Sequence, residues 1–180
     1  MRNVETRHTP YVLQVNPELL KTVVLVTLRV VFGFAWLMAG VTKESEKGWF
    51  SDPNTFLTAY LSAARENPDV NGYYRWFIES VALQHVSVLN YSIPIAQIIA
   101  GTFIMLGLVT LPMLLVVLFM HVNFLLSGSI NEISLVLYTS LLVLLFGLRY
   151  ARRVSLDGWL ACLRAPATPD RSTSPGRVHT

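Results

Sequence analysis

Seven side chains stand in or beside apolar stretches where hydrocarbon would be expected: Arg29, Trp36, Lys43, Gln97, His121, Asn123 and Asn131. In such surroundings a polar group needs a hydrogen-bonding partner, and an ionisable one is a candidate for function as well as for packing. Arg29 lies near the middle of its run, where an arginine costs about 2.5–3.5 kcal/mol on insertion scales. It must turn inward or snorkel to the nearer edge. Its helical stripe is Arg29, Gly33, Trp36, Gly40 and Lys43, and two glycines on one stripe permit close helix approach. The next apolar run carries the stripe Asn90, Pro94, Gln97 and Gly101. Pro94 cannot donate to the Asn90 carbonyl, which leaves that acceptor free. Gln97 falls at a depth similar to Arg29, and its amide oxygen is an acceptor for the guanidinium, so an Arg29–Gln97 contact is expected. Glutamine is neutral, and the arginine still needs a carbonyl, water, counter-charge or anionic ligand. His121 and Asn123 are two residues apart, about 200° on a helix, and are expected to point to different faces. Asn131, Ser134 and Tyr138 recur at helical spacing, with Asn131-Glu132 read first as a helix cap. For each of these residues, packing or capping is the alternative to chemistry.

The elements that must position them are membrane spans. The chain is 53% hydrophobic and 14% charged, against about 25% charged for an ordinary soluble domain. From Val86 to Tyr150 the ionisable side chains other than tyrosine are His121, Glu132 and Arg149 alone. Four apolar runs suit helices: about 22–41, 86–108, 111–126 and 133–148. Twenty residues at 1.5 Å each cross a hydrocarbon layer of about 30 Å, and Pro112 is tolerated in the first turn of the third run. The fold expected is all-α, an integral membrane four-helix bundle. Links as short as Gly107–Pro112 and Ser127–Glu132 make consecutive spans antiparallel neighbours.

Basic residues set the orientation. Arg2, Arg7 and Lys21 precede the first span, and Arg149, Arg152, Arg153, Arg164, Arg171 and Arg177 lie at or after the last. The first loop holds Lys43, Lys47, Arg65 and Arg75. The positive-inside rule then places both termini in the cytoplasm and the loop outside, in the cell (inner) membrane. Residues 1–21 form a cytoplasmic segment, 22–150 the transmembrane domain and 151–180 a basic tail, rich in Pro, Ser and Thr and expected to be disordered. The outer loop, 42–85, is too long to lack structure. Asp52-Pro53 is a helix start, Phe56, Tyr60 and Ala63 follow at helical spacing with Leu57 and Leu61 beside them, and Tyr73, Tyr74, Trp76 and Phe77 come after. That predicts an amphipathic helix on the outer membrane surface and then an aromatic belt.

Several chemistries are excluded. Cys162 is the only cysteine, so intrachain disulfides and CxxC redox chemistry are absent, and no metal site is expected. A pI near 9.2 reflects topology rather than nucleic-acid binding. There is no nucleophile elbow, no HExxH and no phosphate loop. A cleaved signal peptide is not expected, because Lys43 follows the first run where small residues are wanted.

Three segments together resemble a known family, the DoxX/DoxD-like membrane proteins. LRVVFGFAWLMAGVTK (28–43) is similar to the family's opening Arg, Gly and closing aGxxK pattern. AQIIAGTFIMLGLVT (96–110) is similar to its E-x-x-x-G…L-G-L-x-T pattern, and NFLLSGSINE (123–132) resembles its N-F-x-x-x-G…N signature. The resemblance covers roughly residues 24–150. It implies a membrane subunit of a quinone-linked oxidoreductase, thiosulfate:quinone oxidoreductase-like, with one or more partner subunits. The matching positions are Arg29, Gly33, Gly40, Lys43, Gln97, Gly101, Asn123 and Asn131. Gln97 departs from the glutamate of many relatives, which puts proton handling there in doubt. Under this reading Arg29, Trp36, Gln97 and His121 are the candidate quinone contacts, since a quinone headgroup wants a few hydrogen-bonding groups in an apolar cleft. Lys43, Asn123 and Asn131 are the candidate substrate contacts, with Lys43 at the outer mouth to attract an anion such as thiosulfate. The competing reading is a non-catalytic scaffold or accessory subunit of a larger respiratory or photosynthetic complex. A small transporter would need a continuous polar path, and the sequence shows none.

Overall fold

Residues 16–128 and 130–159 are described by a computed structural model, and all regular structure among them is helical. The expectations for the first fifteen residues and for the tail from residue 160 onward, Cys162 included, lie outside the described residues. Four long helices carry the chain back and forth: α1 (Pro17–Ser45), α4 (Val86–Leu106), α5 (Thr110–Leu126) and α6 (Glu132–Phe146). Between α1 and α4 come α2 (Thr55–Glu66), α3 (Gly72–Phe77) and a π-helical turn, Ile78–Ala82. A short α7 (Leu148–Ala151) follows α6. The expected runs fall on the four long helices, with ends shifted by a few residues. α1 and α4 are long and apolar enough to cross a membrane, while α5 and α6 are apolar but shorter, at 17 and 15 residues.

The long helices contact one another in a ring, α1 to α4, α4 to α5, α5 to α6 and α6 back to α1. The most extensive seam is the antiparallel one between α1 and α4. It is built on glycine. A Cβ on Gly33 would stand 2.6 Å from the Met105 amide nitrogen and 2.8 Å from the Gly101 carbonyl oxygen, and one on Gly40 would stand 2.9 Å from the Pro94 carbonyl oxygen. A Cβ on Gly101 would run into the backbone of Leu37. Backbone therefore lies on backbone, as small residues permit between apolar helices. The two stripes read from the sequence face each other along this seam, and Arg29, Gly33, Trp36, Gly40, Asn90, Pro94, Gln97 and Gly101 are all buried.

One end of the ring gathers both ends of the described chain. Arg153 donates to the Glu18 carboxylate at 3.1 Å and to the Thr22 hydroxyl at 3.0 Å, and Tyr150 donates to Glu18 at 3.1 Å. The α4–α5 turn at this end is tight, and Gly107 (φ +73°) and Val109 (φ +39°) both take left-handed backbone. For the valine that conformation is strained.

The other end is capped by residues 46–85. Trp49, Leu57, Leu61, Ala64, Val70, Tyr74, Ile78 and Ala82 form a second apolar core there, separate from the one inside the ring. Two expectations for this loop are corrected. The helix begins at Thr55 rather than Asp52-Pro53, because Asn54 takes a left-handed conformation (φ 75°) and the Asp52 carboxylate accepts from the Thr55 hydroxyl instead of capping the backbone. Its buried stripe is Leu57, Leu61 and Ala64, so of the residues noted Leu57 and Leu61 are buried, Phe56 and Tyr60 half-buried and Ala63 exposed. The apolar face of α2 turns down onto the ring rather than out toward a surface, since the cap core offers it more apolar area to bury. Of the aromatic run, Tyr73 and Trp76 are exposed while Tyr74 is buried.

Outside the ring the long helices are apolar. Val31, Phe34, Leu115, Phe119, Leu135 and Phe146 are among the large hydrophobic side chains left exposed.

Candidate functional site

Beneath the cap, the ring does not close on itself. A cavity of about 600 Å³ lies between the cap and the ends of the four long helices. Its walls are mostly apolar or aromatic: Phe56, Leu57 and Leu61 from α2, Phe77 from α3, Leu89 and Ile93 from α4, Met120 and Phe124 from α5. The cause is local sequence. α1 and α4 are zipped together by glycine, whereas the facing stretches of α5 and α6 contain no glycine. Bulky side chains hold those two helices apart and leave space between them.

Several residues that line the cavity carry a buried polar atom with no partner among the described residues. These atoms are the indole nitrogens of Trp36 and Trp49, Oε1 of Gln97, Nδ1 of His121 and the hydroxyl of Tyr138, and all five residues line the cavity. Such groups are costly when left unpaired, and native structures hold few of them. His121, only 5% exposed, sits among aromatic rings, with centroids 4.8 Å from Trp36, 4.4 Å from Tyr138 and 6.4 Å from Phe32. Those contacts fix the ring without satisfying Nδ1.

Lys43 lines the cavity from the last turn of α1. Its ammonium donates to the Ala39 carbonyl at 3.3 Å and lies 5.5 Å from the ring centre of Trp49 and 5.9 Å from that of Phe124. Lys47 also lines the cavity, 4.6 Å over Phe56. Neither lysine forms a salt bridge with a described residue, and no carboxylate is among the described lining residues. This end of the cavity is positive.

Polar bonds fasten the cap to the ring. The Asn90 amide donates to the Trp49 carbonyl, and its Oδ1 accepts from the Asn54 backbone N–H at 3.3 Å. The Asn54 amide donates to the Ser87 hydroxyl at 3.1 Å, Tyr60 and Ser127 share a hydroxyl–hydroxyl bond, and Tyr74 donates to the Asn123 carbonyl at 3.0 Å. Burial pushes the Tyr74 phenol up to about 12, with Tyr60 and Tyr73 adding to the shift.

Of the residues singled out from the sequence, Trp36, Lys43, Gln97, His121, Asn123 and Asn131 come together around this cavity. Arg29 does not. It lies toward the opposite end of α1, 3% exposed, where its guanidinium donates to the Ala151 carbonyl at 2.7 Å and abuts Gly107. The expected Arg29–Gln97 contact is absent, and Gln97 Oε1 has no partner among the described residues. In an antiparallel pair, a position early in α1 faces the end of α4, so Arg29 meets the α4–α5 turn while Gln97 falls nearer Trp36 and Gly40. His121 and Asn123 both line the cavity despite their angular separation, because the cavity extends around α5 beneath the cap. Asn131 caps α6, accepting from the Ser134 backbone N–H at 2.8 Å and its hydroxyl at 2.9 Å. In the sequence Tyr138 stands out only as part of the Asn131 stripe, Tyr60 and Tyr74 only as loop aromatics, and Trp49 not at all. The clustering of aromatics in the loop between the first two apolar runs was the available signal.

No family model matches the chain, and no curated protein or solved structure matches it.

Proposed function

We propose that the chain is a four-span integral membrane protein, with both termini cytoplasmic and the cap outside, acting as the quinone-binding subunit of a thiosulfate:quinone oxidoreductase-like enzyme. The observation that carries the quinone reading is that five residues lining one mostly apolar cavity, Trp36, Trp49, Gln97, His121 and Tyr138, each hold a buried polar atom with no partner among the described residues. Trp36 N–H and Tyr138 O–H are donors suited to quinone carbonyls, Gln97 Oε1 is an acceptor suited to the hydroxyl of a quinol, and His121 serves either role according to tautomer. A volume of about 600 Å³ falls in the usual range of about 300–1,000 Å³ for small-molecule sites. The group bound there would supply the redox chemistry; the protein's own residues orient the headgroup and exclude water. Lys43 and Lys47, without a lining carboxylate, favour an anionic donor such as thiosulfate at the cap end. The membrane reading is supported by the apolar outer faces, since exposed patches of that extent mark a lipid or partner surface. Arg149, Arg152 and Arg153 at the terminal end agree with a cytoplasmic placement.

Trp36 and Trp49 line the cavity, so bound quinone should quench their emission. Titration of the protein in lipid nanodiscs with a short benzoquinone is expected to give saturable quenching. His121→Phe should weaken it about tenfold, the worth of one hydrogen bond, and should lower thiosulfate-dependent quinone reduction in native membranes. Quenching that never saturates, or that ignores His121→Phe, would remove the site. Firm co-purification with a larger complex, without quinone, would instead favour a scaffold.

A further inference from the structure

A second, smaller opening lies on the outer flank of α5 and α6. It is a crevice of about 140 Å³ lined by Leu118, Val122 and Leu125 of α5 and Leu141 and Leu142 of α6, together with His121 and Tyr138. Apart from those two rings its lining is aliphatic. Val122, Leu125 and Leu142 are exposed, so it faces outward. His121 and Tyr138 line both the crevice and the central cavity. This ring pair, with centroids 4.4 Å apart, therefore borders both spaces.

We propose that the cavity's guest is a quinone bearing a long hydrocarbon chain, and that the chain leaves between α5 and α6 past the His121–Tyr138 pair into the bilayer. This rests on the quinone reading. The cavity suits a headgroup, but a chain of many prenyl units exceeds it and must go somewhere. Between α1 and α4 the backbones are in contact at Gly33, Gly40 and Gly101, so that side is shut. The cap end carries the lysines and the hydrogen-bonded fasteners, an unfavourable route for hydrocarbon. The α5–α6 seam offers an aliphatic lining on the outer side of the His121–Tyr138 pair, with Val122, Leu125 and Leu142 reaching the exterior. Lipid tails are as apolar as leucine, so the chain gains little by being enclosed. What it needs is an open path, and a path can be obstructed without touching the headgroup site.

The test is equilibrium binding, in nanodiscs, of two labelled benzoquinones with the same headgroup, one carrying a long prenyl chain and one a methyl group. Val122→Trp and Leu142→Trp fill the crevice from exposed positions. They are expected to weaken the prenylated quinone by about tenfold or more while leaving the methyl compound within about twofold. Val136→Trp, on α6 but outside the crevice, should change neither. Leu142→Ala should retain prenylated binding, which separates obstruction from misfolding. If both quinones bind the tryptophan variants like the parent protein, or both weaken alike, the chain path is overturned and the headgroup site stands. If neither quinone binds the parent protein, the quinone reading fails, and the path with it.

Discussion

The α1–α4 seam and the α5–α6 seam are both built from apolar helices and do opposite things. In the first, Gly33, Gly40 and Gly101 bring backbone against backbone and leave no space. In the second, leucine, valine and phenylalanine side chains hold the helices apart, and a cavity and a crevice remain. Arg29, at the closed end of the first seam, has a carbonyl partner in Ala151 at one guanidinium nitrogen, while its Nε has none among the described residues. Trp36, Gln97, His121 and Tyr138, around the open space, keep at least one polar atom unbonded. Between lipid-facing helices, small residues specify adhesion and large ones specify room. Seam composition alone can therefore divide a helix ring into a scaffold half and a binding half.

The largest effect expected is at the closed seam. Gly101→Ala puts a methyl group into the Leu37 backbone, and should cost about 2–3 kcal/mol in reversible unfolding from mixed micelles. The like-sized perturbation at the open seam, Leu142→Ala, should stay below about 1 kcal/mol. Equal costs would erase the contrast between the seams. Next comes Arg29→Ala, which removes a buried charged donor and should destabilise by about 2 kcal/mol. It should nonetheless leave quinone affinity unchanged, since Arg29 does not line the cavity; a binding defect without a stability defect would show that the division is drawn in the wrong place.

The smallest effect concerns the cap. Tyr74→Phe deletes the bond to Asn123 and should cost about 1 kcal/mol, read as faster hydrogen exchange in α2 and α3. The ordinary tyrosine value is 10.0, and burial lifts Tyr74 to about 12. Its contribution to cap stability is therefore complete below pH 10 and is lost as pH rises through about 12. The phenylalanine variant should lack that alkaline loosening. Exchange rates that rise equally in both proteins would place the pH sensitivity elsewhere.

The helices themselves were legible in the sequence. Apolar runs gave α1, α4, α5 and α6 nearly to their ends, and the spacing of Arg29, Gly33, Trp36 and Gly40 gave the buried face of α1. Asn131 was readable as a cap because a side-chain acceptor at a helix start acts locally. Apart from the start of α2, displaced locally by the left-handed Asn54, the misreadings were non-local. Arg29 and Gln97 matched by depth and by type, but depth along a helix does not fix which neighbour a side chain meets. Within α2, what lies beneath the helix chose Leu57 and Leu61 over Phe56 and Tyr60 as the buried positions, and Tyr74 was one aromatic among several until the cap folded over Asn123.

Residue order alone determined how many long apolar helices form, which face of α1 is small and polar, and where the positive charges gather, because each of these depends on neighbours a turn or two away. Tertiary structure decided that Trp36, Gln97, His121 and Tyr138 share one cavity and that Arg29 does not. That outcome depends on the relative positions of four helices and a cap. Those positions are set by steric contact between residues far apart in the chain, and no periodicity within a single helix encodes them.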